Sequence, residues 1–190
     1  MKKIYITKPF LPPLDEYTSL LKEIWESKTL TNNGPFNKKF EIELASYLGV
    51  KHVSLVNNAT SGLMIALKAM KIHGEVITTP FSFIATSHVI KWNGLSPIFA
   101  DTDNFIGNLR ADEIEKKIGR KTGGILATHN FGFPGELDLI DNLSKKYKLP
   151  LIYDAAPAIG VKLNGKSILK FGDVSVLSFH ENKILNTFEG

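Results

Sequence analysis

The chain has 190 residues, a formal net charge of +4 and 43% hydrophobic residues, values typical of one soluble domain with its own core. It contains no cysteine, which excludes disulfide bonds, thiolate chemistry and cysteine-based metal sites. Its five histidines show no HxH or HxxxH spacing, so no metal site is expected. The basic residues are scattered, so the charge suits an anionic small molecule and gives no sign of nucleic-acid binding.

The first part of the chain predicts an extended entry followed by two helices. Residues 1–13 contain three prolines and resemble no secretory signal, and no apolar run in the chain approaches the roughly 18 residues that cross a bilayer. A cytoplasmic protein is therefore expected. From Leu14 the apolar spacing is helical as far as the turn sequence TNNGP at 31–35, and a second amphipathic helix ends at Gly49.

The rest of the chain alternates strands with helices. Helices are expected from the turn 57–62 onward and at about 84–92, 111–118 and 137–147. Several of the predicted strands are continuously apolar, as in a parallel sheet covered on both faces. The order predicts an α/β layered domain with a mostly parallel sheet, whose ligands bind at the carboxyl ends of the strands. The strands are predicted at 52–56, 76–80, 97–100, 124–128, 150–153 and 174–179.

Chemically distinctive residues follow these predicted strands. Asp154 ends one strand, Lys183 comes after another, Phe83 follows a third, and the turn 57–62 opens a helix. Taken singly, Lys183 also fits a solvated surface lysine, and the turn also fits plain N-capping. Neither a GxGxxG run after a strand nor a GxxxxGK[ST] run is present, so the dinucleotide and P-loop signatures are lacking.

Together, these groups suit pyridoxal 5′-phosphate. A lysine can form a Schiff base with the cofactor's aldehyde, and an aspartate can keep its ring nitrogen protonated. An aromatic ring can stack on the cofactor, and a helix N-terminus can hold its phosphate.

Nine short runs, in order along nearly the whole chain, resemble the motifs of the DegT/DnrJ/StrS sugar aminotransferases, which are fold-type-I enzymes dependent on pyridoxal phosphate. Within that family they are most similar to the branch that aminates dTDP-4-keto-6-deoxyhexoses at C4. The runs are LTNNGP at 30–35, YLGVKH at 47–52, NATS at 58–61, EVITTP at 75–80, SFIAT at 82–86, FGFP at 131–134, YDAA at 153–156, SFHENK at 178–183 and FEG at 188–190.

The resemblance implies a role for particular residues. Lys183 would carry the Schiff base, Asp154 would face the ring nitrogen, and Phe83 would stack on the ring. The rest of the cofactor site would be Ala156 on the other ring face, with the backbone amides of Thr60 and Ser61 and the hydroxyl of Ser178 at the phosphate.

For the residues that would contact the substrate, the resemblance leaves alternatives open. His180 would line the active site or serve as a structural histidine, and His129 lies at a strand end where it could touch substrate. Asn32, Asn33 and Gly34 would help form the substrate mouth, although a plain turn also explains them.

The chain departs from the family pattern near the cofactor at Ala59, at Pro157, and at Glu181 and Asn182, which replace smaller residues before the lysine. Ala59 stands where a glycine usually precedes the phosphate-binding threonine, which requires a negative φ there. Pro157 stands where glutamine or histidine often reaches the ring hydroxyl, and proline can donate nothing.

The resemblance also bears on domain organisation. Residues 1–190 would form the large, three-layer cofactor domain, ending before the small C-terminal domain of the family. The expected function is transfer of an amino group, with glutamate as donor, to a nucleotide-activated 4-keto-6-deoxy sugar for cell-surface glycans. A homodimer is implied. The alternative is a truncated, inactive remnant or binding module of the same fold.

Overall fold

The computed structural model describes residues 3–5, 7–30 and 33–188. Two residues of the predicted turn, Thr31 and Asn32, lie outside the described residues, as do Glu189 and Gly190 of the last matching run. None of the helices in the described residues is long and apolar enough to span a membrane.

A parallel sheet of five strands forms the centre of the fold, in the order β2-β1-β3-β4-β7. A separate antiparallel hairpin consists of β5 and β6. The strands are β1 Glu75–Thr78, β2 Ser96–Phe99, β3 Thr122–Thr128, β4 Leu151–Asp154, β5 Lys162–Leu163, β6 Lys166–Ser167 and β7 Val174–Val176. The helices are α1 Leu14–Ser27, α2 Pro35–Leu48, α3 Ala59–Ala69, α4 Ile84–Trp92, α5 Ala111–Lys117 and α6 Leu137–Tyr147.

Helices cover both faces of the sheet, and each face has its own buried apolar cluster. On one face Ile125 and Tyr153 pack with α5 and α6, and on the other Leu126 and Ile152 pack with α3 and α4. Successive residues of a strand point to opposite faces, so a strand covered on both sides is apolar throughout. The predicted three-layer α/β fold is therefore confirmed.

The strand predicted at 52–56 is wrong. This segment is extended but joins no ladder, and Leu55 donates its backbone amide to Glu41 Oε1 of α2 at 2.8 Å. Val53 and Leu55 pack against the small cluster around Leu44 and Phe179. The apolar alternation thus reflects packing against α2 rather than strand pairing.

The last strand is shorter than predicted. It ends at Val176, which pairs with Asp154, the last residue of β4. Beyond that pair β4 offers no further partner, so Ser178 and Phe179 continue as a loop although their alternation resembles a strand. This early end leaves Ser178 at the carboxyl edge of the sheet.

Candidate active site

A cavity of about 950 Å³ opens at the carboxyl edge of the sheet, where β1, β3, β4 and β7 end beside the start of α3. Nearly all of the predicted site residues meet there, although they are far apart in sequence. The predicted residues that line it are Thr60, Ser61, Phe83, His129, Asp154, Ala156, Ser178, His180 and Lys183.

Asn33 does not line this cavity. It is exposed just before α2 and has a left-handed φ of 60°. That conformation is typical of asparagine in a turn, and its role as a substrate contact stays a prediction.

Asp154 is held in one orientation at the end of β4. Its Oδ2 accepts the hydroxyl of Thr86 at 2.7 Å, and its Oδ1 accepts the backbone amide of Ala156 at 3.2 Å. Burial raises the pKa of Asp154, while these hydrogen bonds and the charge of Lys183 oppose the rise. A buried carboxylate of this kind favours a cationic partner.

Lys183 lies in the loop that follows β7 and is half-buried. Its backbone amide donates to His180 O at 2.9 Å, and the His180 amide donates to Ser178 Oγ at 3.3 Å. The ring of His180 pairs through Nδ1 with Asn182 Oδ1 at 3.2 Å. These bonds tie the loop back onto the strand end, so that Lys183 lines the same cavity as Asp154.

The first turn of α3 forms a polar end of the cavity. Asn58 is its N-cap and accepts the Ser61 amide through Oδ1 at 2.8 Å, whereas the amides of Ala59 and Thr60 have no acceptor among the described residues. Ala59 is helical, with no positive φ, as its alanine side chain requires. Gly62 lets this turn lie close to β7, because a Cβ there would meet Val176 at 2.9 Å.

Side chains of different chemistry cover other parts of the cavity wall. Phe83, the residue before α4, is 76% exposed and so has a free ring face. Ala156 and Pro157 are half-buried in the turn after β4. Proline lacks a backbone donor, so this turn offers no hydrogen bond through residue 157.

His129 is buried more deeply than a substrate-binding residue needs to be. It is 1% exposed, its ring stacks on Tyr153 at a centroid distance of 4.4 Å, and neither ring nitrogen has a hydrogen-bond partner. Burial lowers the pKa of His129 to about 4, so the ring is neutral near pH 7. A role in contacting substrate stays a prediction.

We expect His129 to make folding stability depend on pH. The pKa of His129 falls from an ordinary 6.5 to about 4 on folding. The stability that depends on this histidine is therefore fully present above pH 6.5 and is lost as the pH falls from 6.5 through 4. The free energy of unfolding of the wild type, measured with urea, should fall by about 2 kcal/mol through this histidine between about pH 7 and pH 4.5.

A His129→Phe variant provides the control, because it keeps a ring on Tyr153 but cannot titrate. Carboxylates titrate in both proteins, so the difference between their two pH profiles isolates the histidine. Parallel profiles would contradict the assignment of this pH dependence to His129.

Three residues that were not among the predicted site residues also shape the cavity wall. Thr86 fixes Asp154, Asn58 caps α3, and Asn130 bonds the loop after β1. Thr86 lies within a predicted helix, where threonine is unremarkable until β4 is known to lie beside it. An asparagine before a helix is a standard capping signal, so Asn58 was recognisable in that role alone.

The polar groups of the cavity fit pyridoxal phosphate. A buried, fixed carboxylate suits a protonated ring nitrogen, and a lysine in the same cavity suits an aldehyde. The free amides at the start of α3, together with the hydroxyls of Ser61 and Ser178 in the same cavity, suit a phosphate. Within the described ranges, no group of three or more acidic or histidine side chains is arranged to hold a metal ion.

The sequence matches the DegT/DnrJ/EryC1/StrS aminotransferase family over residues 14–190. It is 46% identical over 189 residues to the dTDP-4-amino-4,6-dideoxy-D-glucose transaminase of Shigella dysenteriae, covering 100% of this chain and 52% of that protein. It is 35% identical over 192 residues to the GDP-perosamine synthase of Escherichia coli O157:H7, again covering 100% and 52%. The chain thus spans about half the length of the curated relatives it matches.

Solved structures agree with this assignment. DesI, analysed in the presence of its TDP-sugar product, superimposes with a TM-score of 0.92 at 35% identity, covering 96% of this chain and 46% of that one. NtdA from Bacillus subtilis, with its bound cofactor PMP, gives a TM-score of 0.84 at 29% identity, covering 98% and 44%. The resemblance and the fold class predicted from the sequence are confirmed, and the chain belongs to the DegT/DnrJ/EryC1/StrS aminotransferase family.

Proposed function

We propose that this chain is the cofactor-binding part of an aminotransferase that transfers an amino group to a nucleotide-activated keto sugar. The observation that carries the proposal is the buried Asp154, fixed by Thr86 in the cavity that Lys183 also lines. Pyridoxal phosphate is the cofactor of the family, and two relatives are named for amino sugars carried on dTDP and GDP. Residues 1–190 would form the large domain.

Bound pyridoxal phosphate supplies an electron sink that lets an amino group leave one carbon and join another. Asp154 would hold a proton on the ring nitrogen, because its negative charge stabilises the cationic ring. Thr86 and the Ala156 amide keep both carboxylate oxygens oriented, so the carboxylate needs no rearrangement when it pairs with the ring.

Lys183 would have two tasks. Its Nζ would attach the cofactor covalently, and once released it would move a proton as a neutral amine. The loop bonds from Lys183 to His180 and from His180 to Ser178 hold its backbone at the cavity wall. Phe83, with its exposed ring, would stack on the cofactor, and Ala156 would pack against the other face.

The phosphate would lie at the start of α3. The free amide of Thr60 and the hydroxyls of Ser61 and Ser178 are the groups we assign to it. The Ser61 amide was expected to take part, but it already donates to Asn58 Oδ1, so we propose its hydroxyl instead. Helix dipole and hydrogen bonds act together at such a terminus.

The finer features of the proposal rest on the family. We propose a 4-keto-6-deoxy sugar nucleotide as acceptor and glutamate as donor, in a cytoplasmic homodimer that supplies sugars for cell-surface glycans. His180 and Asn33 are carried over as candidate substrate contacts.

Amino transfer from glutamate tests this function directly. The 190-residue chain is incubated with pyridoxal phosphate, glutamate and dTDP-4-keto-6-deoxyglucose, and both 2-oxoglutarate and an aminated sugar nucleotide should be found by mass spectrometry. Omission of pyridoxal phosphate provides the control. If the chain binds the cofactor but forms neither product, these 190 residues act as a cofactor-binding module and do not carry out the transfer alone.

A further inference from the structure

Three loops at the cavity rim are bonded to one another through asparagine side chains. The Phe81 loop (residues 79–83) follows β1, the Asp103 loop (residues 101–110) follows β2, and the Phe131 turn (residues 129–133) follows β3. The Phe81 loop and the Phe131 turn line the cavity, whereas no residue of the Asp103 loop does. The Asp103 loop is bonded to the Phe131 turn, and the Phe131 turn is bonded to the Phe81 loop.

The Asp103 loop is organised by a single carboxylate. Asp103 accepts the backbone amides of Phe105, Ile106 and Asn108 at 2.7 to 2.8 Å and that of Gly107 at 3.3 Å. These bonds, foremost the one from Ile106, hold the pKa of Asp103 below its usual range. The Asp103 amide also donates to Asn108 O at 2.8 Å, which closes the loop and fixes Asn108 at its end.

Asn108 connects this loop to the Phe131 turn. It is 2% exposed, its Oδ1 accepts the Asn130 amide at 2.9 Å, and its Nδ2 donates to Phe133 O at 3.1 Å. The two bonds hold both ends of the turn, within which Phe131 has a left-handed φ of 54°. A bulky residue is strained in that conformation and keeps it only where its surroundings impose it.

Asn130 is hydrogen-bonded to the Phe81 loop as well. Its Nδ2 donates to Gly107 O at 2.6 Å and to Phe81 O at 3.2 Å. The rings of Phe81 and Phe131 then lie 6.4 Å apart on the cavity wall. Phe83, which we assign to the cofactor ring, is two residues further along the same loop.

We propose that Asn108 is a positioning residue for the cofactor, which through Asn130 fixes the Phe81 loop and thereby the ring of Phe83. Asn108 would not contact the cofactor itself, since it lies outside the cavity lining. The inference rests on the proposed function, which supplies pyridoxal phosphate as the ligand.

Hydrogen–deuterium exchange of the ligand-free chain tests the connection without any cofactor. Asn108→Ala should speed exchange in residues 129–133, where it removes hydrogen bonds, and also in residues 79–83, to which its side chain makes no hydrogen bond. Asn93→Ala is the matched control: it removes two side-chain bonds, to Met64 O and Val89 O, at the far end of α4. Unchanged exchange at 79–83 in Asn108→Ala would overturn the proposal.

Cofactor titration tests the functional consequence. Asn108→Ala should weaken pyridoxal phosphate binding roughly tenfold, the value of one aromatic stack, whereas Asn93→Ala should leave the affinity unchanged. In the Phe83→Ala background the Asn108 effect should disappear, because both changes remove the same contact. A general loss of stability would lower the unfolding temperature in both asparagine variants. It would not weaken cofactor binding in Asn108→Ala alone, nor would its effect disappear in the Phe83→Ala background.

The outcomes separate this inference from the proposed function. If the wild type binds no pyridoxal phosphate, the proposed function fails, while the exchange experiment still decides whether Asn108 controls the Phe81 loop. If the wild type binds and Asn108→Ala binds equally well, the positioning role is wrong and the function stands. Should Asn108→Ala fail to fold, Asn108→Asp keeps the bond from the Asn130 amide and should show a smaller change of the same kind.

Discussion

A Lys183→Ala chain is expected to lose covalent attachment of pyridoxal phosphate completely. The side chain of Lys183 supplies the amine in the cavity that also contains Asp154, and alanine has no group that can replace it. The wild type mixed with the cofactor should develop a new absorption band that survives gel filtration, and the variant should not. Because Lys183 is half-buried in a surface loop, its removal should leave the unfolding temperature within a few degrees of the wild type.

Lys91→Ala is the matched control for this result. Lys91 is exposed near the end of α4 and does not line the cavity. Its replacement should leave the absorption band and the bound cofactor unchanged. A band of wild-type intensity in Lys183→Ala would show that another amine carries the cofactor.

Asp154→Asn is expected to slow amino transfer from glutamate by two to three orders of magnitude. An amide cannot hold a proton on the ring nitrogen, and a loss of this size corresponds to about 3–4 kcal/mol of activation free energy. The same change should stabilise the ligand-free chain. Burial raises the folded pKa of Asp154, so its ionised form destabilises the fold at neutral pH, and asparagine removes that charge.

Opposite effects on rate and stability distinguish this role from a structural one. The rate is measured as 2-oxoglutarate formed, and the stability as the unfolding temperature without cofactor. Asp173→Asn provides the control: Asp173 accepts the Leu151 amide at 2.9 Å at the other end of β4, and an amide oxygen can take over that bond. Equal rate losses in the two variants would contradict the assignment of Asp154.

Much of the fold could be predicted from the sequence, because in its longer elements the spacing of apolar residues agrees with the burial of those residues in the packed fold. The helices at 84–92 and 137–147 have apolar residues at helical spacing, and the structure places them at Ile84–Trp92 and Leu137–Tyr147. The apolar strands indicated a sheet covered on both faces, and helices cover both. In these elements the apolar residues that give the sequence its helical or strand pattern are the same residues that pack in the core.

The shorter elements depended on partners that no local pattern reveals. Residues 52–56 have strand-like alternation, but the partner of Leu55 is Glu41 on α2. The β5–β6 hairpin was missed although Asn164-Gly165, a frequent hairpin turn, lies between its strands with φ values of 50° and 76°. Strands of two residues are too short to show alternation.

The residues that line the candidate site could be predicted where each follows a strand, because parallel strands bring their carboxyl ends to one edge. That rule brought Asp154 and Ser178 to one cavity with Lys183. It could not reveal Thr86, whose hydroxyl meets Asp154 from α4, or the bond that Asn58 makes to the Ser61 amide. Such contacts depend on side-chain direction, which appears only in three dimensions.

Borohydride reduction followed by peptide mapping tests whether Lys183 carries pyridoxal phosphate in the cavity that Asp154 also lines. Reduction fixes the cofactor to the amine that holds it, and mass spectrometry of the digested chain then identifies that residue. We expect one phosphopyridoxyl group, on the peptide that contains Lys183. A label on a different lysine, or no label at saturating cofactor, would contradict it.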